Sequence, residues 1–304
     1  MLSSTRELLE TARRNAYAIG AFNVYNLEGV KAVIAAAEVS RSPAMLQLHP
    51  TALKYGKLPL IKLCLEAAKA SKVSIAVHLD HSTSTSDITL ALQAGIRSIM
   101  ADGSPMSYEQ NLEFTRDMTT LSHTYGATVE AEIGRISGTE DGLTITEKEA
   151  KMTDPKQALE FVHRTQVDSI AVTIGNVHGE YKSPPQLDFA RLEKIRQLID
   201  IPLVLHGASG LPAAMIGRSI QLGVCKFNVN TEVRQAYMQA LKDEICGDRS
   251  KDLLEIAAES IAAMQEVIAE KLELFGSAGK AHLHENPYAA MLSASEQNGM
   301  KVSS

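Results

Sequence analysis

Apolar residues along the 304-residue chain gather into short runs that alternate with longer stretches of helical period. The runs span 18–24, 44–48, 73–79, 98–101, 128–133, 169–174, 203–206 and 225–229. Each is followed by a stretch whose apolar residues return every three to four positions: 27–40, 58–70, 85–94, 106–125, 155–164, 189–198, 213–222 and 232–245. Strands alternating with helices predict βαβ units and a parallel sheet. The runs are continuous rather than alternating, as expected for strands covered on both faces. Eight such units between residues 18 and 245 predict a closed α/β fold, the (β/α)8 TIM barrel. An open doubly wound sheet would carry a Gly-rich turn after its first strand, and GAFNVYNLE (20–28) has none. Residues 3–15 read as an N-terminal helix that closes the barrel bottom, opened by Ser4 with Glu7 three positions on. An extra C-terminal helix is expected over 251–275, either at an interface or as a packing helix. The domain organisation is then one barrel domain, 1–275, and a partly mobile tail, 276–304.

Composition narrows the class. Hydrophobic residues make up 45% and charged residues 22%, enough apolar content for a large core and too little charge for extensive disorder. The net charge of −6 gives no broad attraction to nucleic acid or to an anionic membrane. The three cysteines (Cys64, Cys225, Cys246) are odd in number and lack CxxC spacing, so neither a disulfide framework nor a cysteine zinc site is indicated. No apolar run nears about 18 residues, and the N-terminal stretch lacks a signal-peptide core. A cytoplasmic enzyme with no nucleic-acid or membrane partner is expected.

The polar residues at the run ends carry the chemistry. Asn23 closes the first run, Asp80 and His81 the third, Asp102 the fourth and Glu132 the fifth. His178 follows the sixth, His206 closes the seventh, and Asn228 and Asn230 close the eighth. Barrel enzymes place their catalytic groups at this rim. Three imidazoles from three strands suit a divalent metal and leave an open position for substrate. Asp102 and Glu132 either hold a second metal or orient the histidines. Strand alternation puts His78 and His81 on opposite faces, so His78 is read as packed in or beside the barrel. Two stretches, 207–210 (GASG) and 228–231 (NVNT), suit a phosphate held by backbone N–H groups and a helix N-terminus. Schiff-base chemistry needs a lysine inside a barrel; the sixth run has none, Lys182 lies in the following loop, and Lys226 in the eighth run stays open.

Taken together, GAFNVYNLE (20–28), HLDH (78–81), MADGS (100–104), VEAEIGRISGTEDG (129–142), VHGEYK (177–182), LHGASGLP (205–212) and KFNVNTE (226–232) resemble the class II, metal-dependent fructose-bisphosphate/tagatose-bisphosphate aldolases. The resemblance spans about residues 4–245 and the motifs keep the family's order. It implies a TIM barrel, usually dimeric or tetrameric, that joins dihydroxyacetone phosphate to an aldehyde or cleaves the ketose phosphate through a metal-stabilised enediolate. It further implies one catalytic Zn2+ per subunit on His81, His178 and His206, and Asp80 as the acid/base at the aldehyde-derived oxygen. Asp102 and Glu132 match positions for a second divalent metal or the displaced zinc. Gly179, Gly207, Ala208, Ser209, Asn228, Val229, Asn230 and Thr231 match the dihydroxyacetone-phosphate cradle. Lys182 matches a lysine near the phosphate and a monovalent cation. Asn23 matches an asparagine beside the enediolate. Glu140 matches the base that removes the ketose-phosphate proton; Gly134, Gly138 and Gly142 give its loop the composition to close over the site. Glu140 also reads as a solvated loop carboxylate.

One position departs from the family pattern. In LQLHPTALKYG (46–56), His49 stands where the family commonly has Ser or Thr near substrate. That leaves the sugar phosphate and its C4 stereochemistry open. Arg135 and Arg218 are the candidates for a second phosphate, and His123, His163, His282 and His284 read as surface or tail residues. Two other readings are weaker. A metal-dependent hydrolase on this fold would show His-x-His at the first strand end, which GAFNVYN lacks. A non-catalytic barrel would have no reason to keep every ligand.

Overall fold

The computed structural model describes residues 1–140, 143–145, 151–179, 181, 183–247 and 251–284, with 138–140 and 143–145 by backbone alone. Its strands are β1 (Ile19–Asn23), β2 (Ala44–Leu48), β3 (Ile75–Ser82), β4 (Ser98–Ala101), β5 (Thr128–Ile133), β6 (Ser137–Glu140), β7 (Leu143–Ile145), β8 (Ser169–Val172), β9 (Val177–His178), β10 (Leu203–Leu205) and β11 (Val224–Val229). Eight of these close a parallel barrel in the order β1-β11-β10-β8-β5-β4-β3-β2. The predicted (β/α)8 barrel is therefore the observed fold. The strands are buried along almost their whole length, because helices cover the outside and side chains fill the inside.

The helices are α1 (Thr5–Arg14), α2 (Leu27–Val39), α3 (Pro50–Ala70), α4 (Thr85–Ala94), α5 (Tyr108–Thr124), α6 (Pro155–Thr165), α7 (Phe189–Leu198), α8 (Ala213–Gln221), α9 (Thr231–Cys246) and α10 (Leu253–Leu274). α1 turns Leu8, Leu9 and Ala12 onto the strand starts, where they join Tyr17, Ile19, Ala21, Met45, Ala76 and Cys225 in a separate apolar cluster. Burying one such leucine is worth about 1.5–3 kcal/mol, so α1 seals the bottom as expected. Its cap differs from expectation: Ser4 is the N-cap, but its side chain makes no capping hydrogen bond. α3 begins at Pro50 rather than near residue 58, because two helical pieces meet at Lys57, whose backbone is left-handed, just before Pro59.

The segment expected as a loop after β5 contains a hairpin instead. β6 pairs antiparallel with β7, and parallel with β9 through Ser137↔Val177 and Gly138↔His178. Strands of two to four residues are too short to show a period. At the C-terminus, α10 packs against α2 and α9, so its packing reading holds within this chain. Phe275 stacks on Phe227 with ring centroids 4.8 Å apart. The chain then docks on: Gly279 N donates to Ser40 O at 2.8 Å, and Ala281 N to Arg41 O at 2.8 Å. His284, read from sequence as a tail residue, is half-buried with Nε2 2.6 Å from the Tyr17 hydroxyl.

Candidate active site

The ladder between β3 and β4 slips between Leu79 and Ser82, and His81 takes a left-handed backbone, φ 43°. This bulge decides what faces the barrel interior. Asp80 bonds side chains of β1, β2 and β11, so it points inward; His81 packs against His178 and His206, so it also points inward. His78 shares Asp80's parity and is buried with Nδ1 2.7 Å from Ser98 Oγ. Regular alternation, which would have put His78 and His81 on opposite faces, fails across the bulge. His78 nonetheless lies outside the imidazole cluster. Burial, then the positive charge of Lys226, hold its imidazole well below the usual value.

His81, His178 and His206 offer ring nitrogens that all lie within 4.8 Å of one another. His81 Nδ1 is 2.7 Å from Asp102 Oδ2, and His206 Nε2 is 2.9 Å from Glu130 Oε1. Each of these two rings thus has one nitrogen engaged by a carboxylate, and His206 Nδ1 lies 3.6 Å from Glu132 Oε2. His81 forms a second candidate metal group with Asp102 and Glu132. The two carboxyls are pushed apart in pKa. Burial would raise Asp102, but hydrogen bonds from His81 and Ser104 outweigh it and hold the group well below the usual carboxylate range. Burial, with the negative charge of Asp102 behind it, drives Glu132 well above that range. Glu132 Oε2 is buried and accepts no hydrogen bond. Three clustered imidazoles, flanking carboxylates and one orphaned oxygen fit a divalent cation.

Beside this cluster, Asp80 is fully buried among side-chain amides. Gln47 Nε2 donates to Asp80 Oδ2 at 2.9 Å and to Asn23 Oδ1 at 3.0 Å. Asn228 Nδ2 donates to Asp80 Oδ1 at 3.2 Å, and Asn23 Nδ2 makes a longer contact of 3.5 Å to Oδ2. The residues read from sequence as a phosphate cradle lie at or just beyond the ends of β9, β10 and β11. Gly207 has φ +66°, and a Cβ there would lie 2.1 Å from Val177 O, so no other residue fits. Tyr181 clips this turn: its hydroxyl accepts from Val177 N at 3.1 Å and donates to Gly207 O at 3.0 Å. Burial pushes that phenol up to about 12. Asn230 caps α9 without a side-chain capping bond, its Oδ1 instead accepting from the Tyr25 hydroxyl at 2.9 Å. Glu232 Oε1 already accepts from Gly210 N at 3.0 Å, which closes one end of the cradle.

The family profile described as "Fructose-bisphosphate aldolase class-II" matches residues 3–280. The chain belongs to this family. It is 42% identical to the D-tagatose-1,6-bisphosphate aldolase subunit GatY of Klebsiella oxytoca over 281 residues, 91% of this chain and 98% of that one. Among solved structures, a candidate fructose-1,6-bisphosphate aldolase from Coccidioides immitis superposes with a TM-score of 0.87 at 37% identity, covering 92% of this chain and 98% of the other. The YdjI aldolase of Escherichia coli K12 gives 0.83 at 37% identity, covering 92% and 100%. Family membership makes the chain a class II aldolase, a lyase of carbohydrate metabolism whose substrate class is the sugar phosphates. No described helix is long and apolar enough to cross a membrane.

The remaining candidate residues of this class II aldolase divide between the barrel interior, the surface and segments outside the described residues. His49 is buried at the end of β2, where it caps α3: Nδ1 accepts from Thr51 N at 3.2 Å, and the ring lies 6.3 Å from that of His81. Arg135 is half-buried and its Nε makes no hydrogen bond, whereas Arg218 is exposed on α8. The backbone of Glu140 ends β6; its side chain, and Lys182 altogether, lie outside the described residues. Three inward polar groups escaped the sequence reading of the site: Gln47, Glu130 and, as a paired charge, Lys226. Lys226 Nζ lies 2.9 and 3.1 Å from the two oxygens of Glu130, fully buried, which argues against a Schiff-base role.

Proposed function

We propose that this aldolase is zinc-dependent and reversibly cleaves a ketose phosphate or bisphosphate to dihydroxyacetone phosphate and an aldehyde. The observation that carries the reading is the convergence of His81, His178 and His206 beside the amide-held carboxylate of Asp80. His81, His178 and His206 would hold a zinc ion, which would supply Lewis-acid polarisation of the ketose carbonyl. Asp80, oriented by Gln47, Asn23 and Asn228, accepts the proton of the C4 hydroxyl as the C3–C4 bond breaks and the aldehyde forms. The bond pair stays with the dihydroxyacetone-phosphate half, whose C3 then takes a proton from Glu140, the role the family resemblance gives that residue. Gly179, Gly207, Ala208, Ser209, Val229, Asn230 and Thr231 hold the phosphate through backbone N–H groups, with Lys182 and a monovalent cation nearby. Asn228 works on Asp80 as well as on the bound phosphate half. His49 faces substrate beside His81 and shapes which aldehyde fits. Asp102 and Glu132 take a second divalent metal or the displaced zinc, or orient the histidines, as the Asp102 bond to His81 does. The working form is a cytoplasmic homodimer or homotetramer.

The test is a coupled aldolase assay on fructose-, tagatose- and related ketose phosphates, run with and without chelator alongside metal analysis. Chelation is expected to abolish cleavage and zinc to restore it. Activity that survives complete chelation and is trapped by borohydride would overturn the reading.

A further inference from the structure

His206 is backed by a buried ion pair, Glu130 and Lys226, that has no part in the steps above. Lys226 of β11 bonds both oxygens of Glu130 of β5, and Glu130 Oε1 is 2.9 Å from His206 Nε2 beyond β10. β5 neighbours neither β10 nor β11 in the sheet, so these contacts cross the barrel interior. All three side chains are 0–2% exposed. A buried ion pair is weak support for stability by itself, since desolvation offsets its attraction. Its geometry has a sharper consequence. A carboxylate engaged by an ammonium only accepts hydrogen bonds, so the shared hydrogen on His206 sits on Nε2. Its lone pair is then on Nδ1, which lies 3.6 Å from Glu132 Oε2 on the side of the imidazole cluster. Asp102 does the same for His81 through the opposite ring nitrogen.

We infer that Glu130, anchored by Lys226, is a positioning residue that fixes the tautomer and tilt of His206 so that Nδ1 is presented to a divalent metal. The inference rests on the zinc reading above. Partners of this kind are typically worth about 10–100-fold in metal affinity.

The test compares wild type with two paired replacements. Glu130→Met/Lys226→Met removes the acceptor without stranding a charge, a change that proteins often tolerate. Glu130→Gln/Lys226→Met also removes both charges but keeps an amide oxygen as acceptor. Thermal unfolding reports the fold, chelator competition the zinc affinity, and the visible spectrum of the Co2+-loaded protein the ligand geometry. The methionine pair is expected to lose about 10–100-fold in zinc affinity with an altered cobalt spectrum, and the Gln-containing pair to recover most of both. If the methionine pair does not fold, Glu130→Asp, which keeps the ion pair and withdraws the acceptor by one methylene, is expected to shift both readouts the same way. Zinc affinity within about twofold of wild type and an unchanged cobalt spectrum would overturn the inference alone. A folded wild-type protein that takes up neither ion overturns the zinc reading and this inference with it.

Discussion

Asp80 touches three amides, each from a different strand, and no solvent. An amide donor can steer a carboxylate without neutralising it, so the oxygen stays a competent proton acceptor at a fixed angle. Asp80→Ala is expected to cut turnover by about 100–10,000-fold while zinc content stays at wild-type level; loss of zinc would make Asp80 a ligand instead. Gln47→Met removes the donor shared by Asp80 and Asn23, and kcat is expected to fall by about 10–100-fold, with KM moving less, because misplacement by an ångström costs on that order. The rim residues were legible in the sequence because each ends an apolar run. Gln47 and Glu130 were not, because they sit inside runs judged by their apolar content, and Lys226 was read only as an open Schiff-base candidate, without its partner. A signal for two of them was there: Glu130 is two residues before Glu132, and Lys226 two before Asn228, so in a strand each pair shares a face. Parity misled only at His78 and His81, where the bulge breaks it.

At the scale of elements, five strand and helix spans, 44–48, 98–101, 128–133, 85–94 and 189–198, agree with the observed bounds to the residue. The hairpin of β6 and β7 was invisible because its strands are too short to show a period, and the pairing with β9 because its partners, such as Gly138 and His178, lie far apart in sequence. The C-terminal docking was illegible for a related reason: it rests on backbone bonds to the Ser40–Arg41 turn, and no side-chain pattern encodes them. Phe275→Ala, which removes a fully buried ring stacked on Phe227, is expected to cost about 3–5 kcal/mol in denaturant unfolding. His284 adds a pH term. Burial, with the positive charge of His282 behind it, lowers its pKa below the ordinary 6.5. The unfolded chain then binds the proton more readily, so this contribution to stability is full above about pH 6.5 and declines as pH falls below it. Unfolding midpoints between pH 7.5 and 5 are expected to fall less steeply in His284→Gln, which keeps a polar partner for Tyr17.

For the molecule as a whole, a parallel barrel brings the ends of strands remote in sequence to one rim, and that convergence explains how a chain of net charge −6 can hold a phosphate locally with backbone N–H groups. A metal held by His81, His178 and His206 would link β3 and the end of β10 in the barrel to β9 of the small sheet. Zinc at about 100 times its dissociation constant is expected to stabilise the fold by about 2.7 kcal/mol, raising the melting temperature; in His178→Ala the rise should shrink or vanish. The bulge in β3 has one more consequence. Because it turns two consecutive side chains into the same chamber, the proton carrier and the first imidazole are separated by a single peptide unit, about 3.8 Å between Cα atoms. That spacing is written in covalent bonds and does not drift when surrounding helices shift or neighbouring loops are exchanged. Under the proposed roles, the spacing between the groups that meet the carbonyl and the C4 oxygen would be set by this peptide unit, and a change of sugar would have to be accommodated by the walls around it, His49 among them.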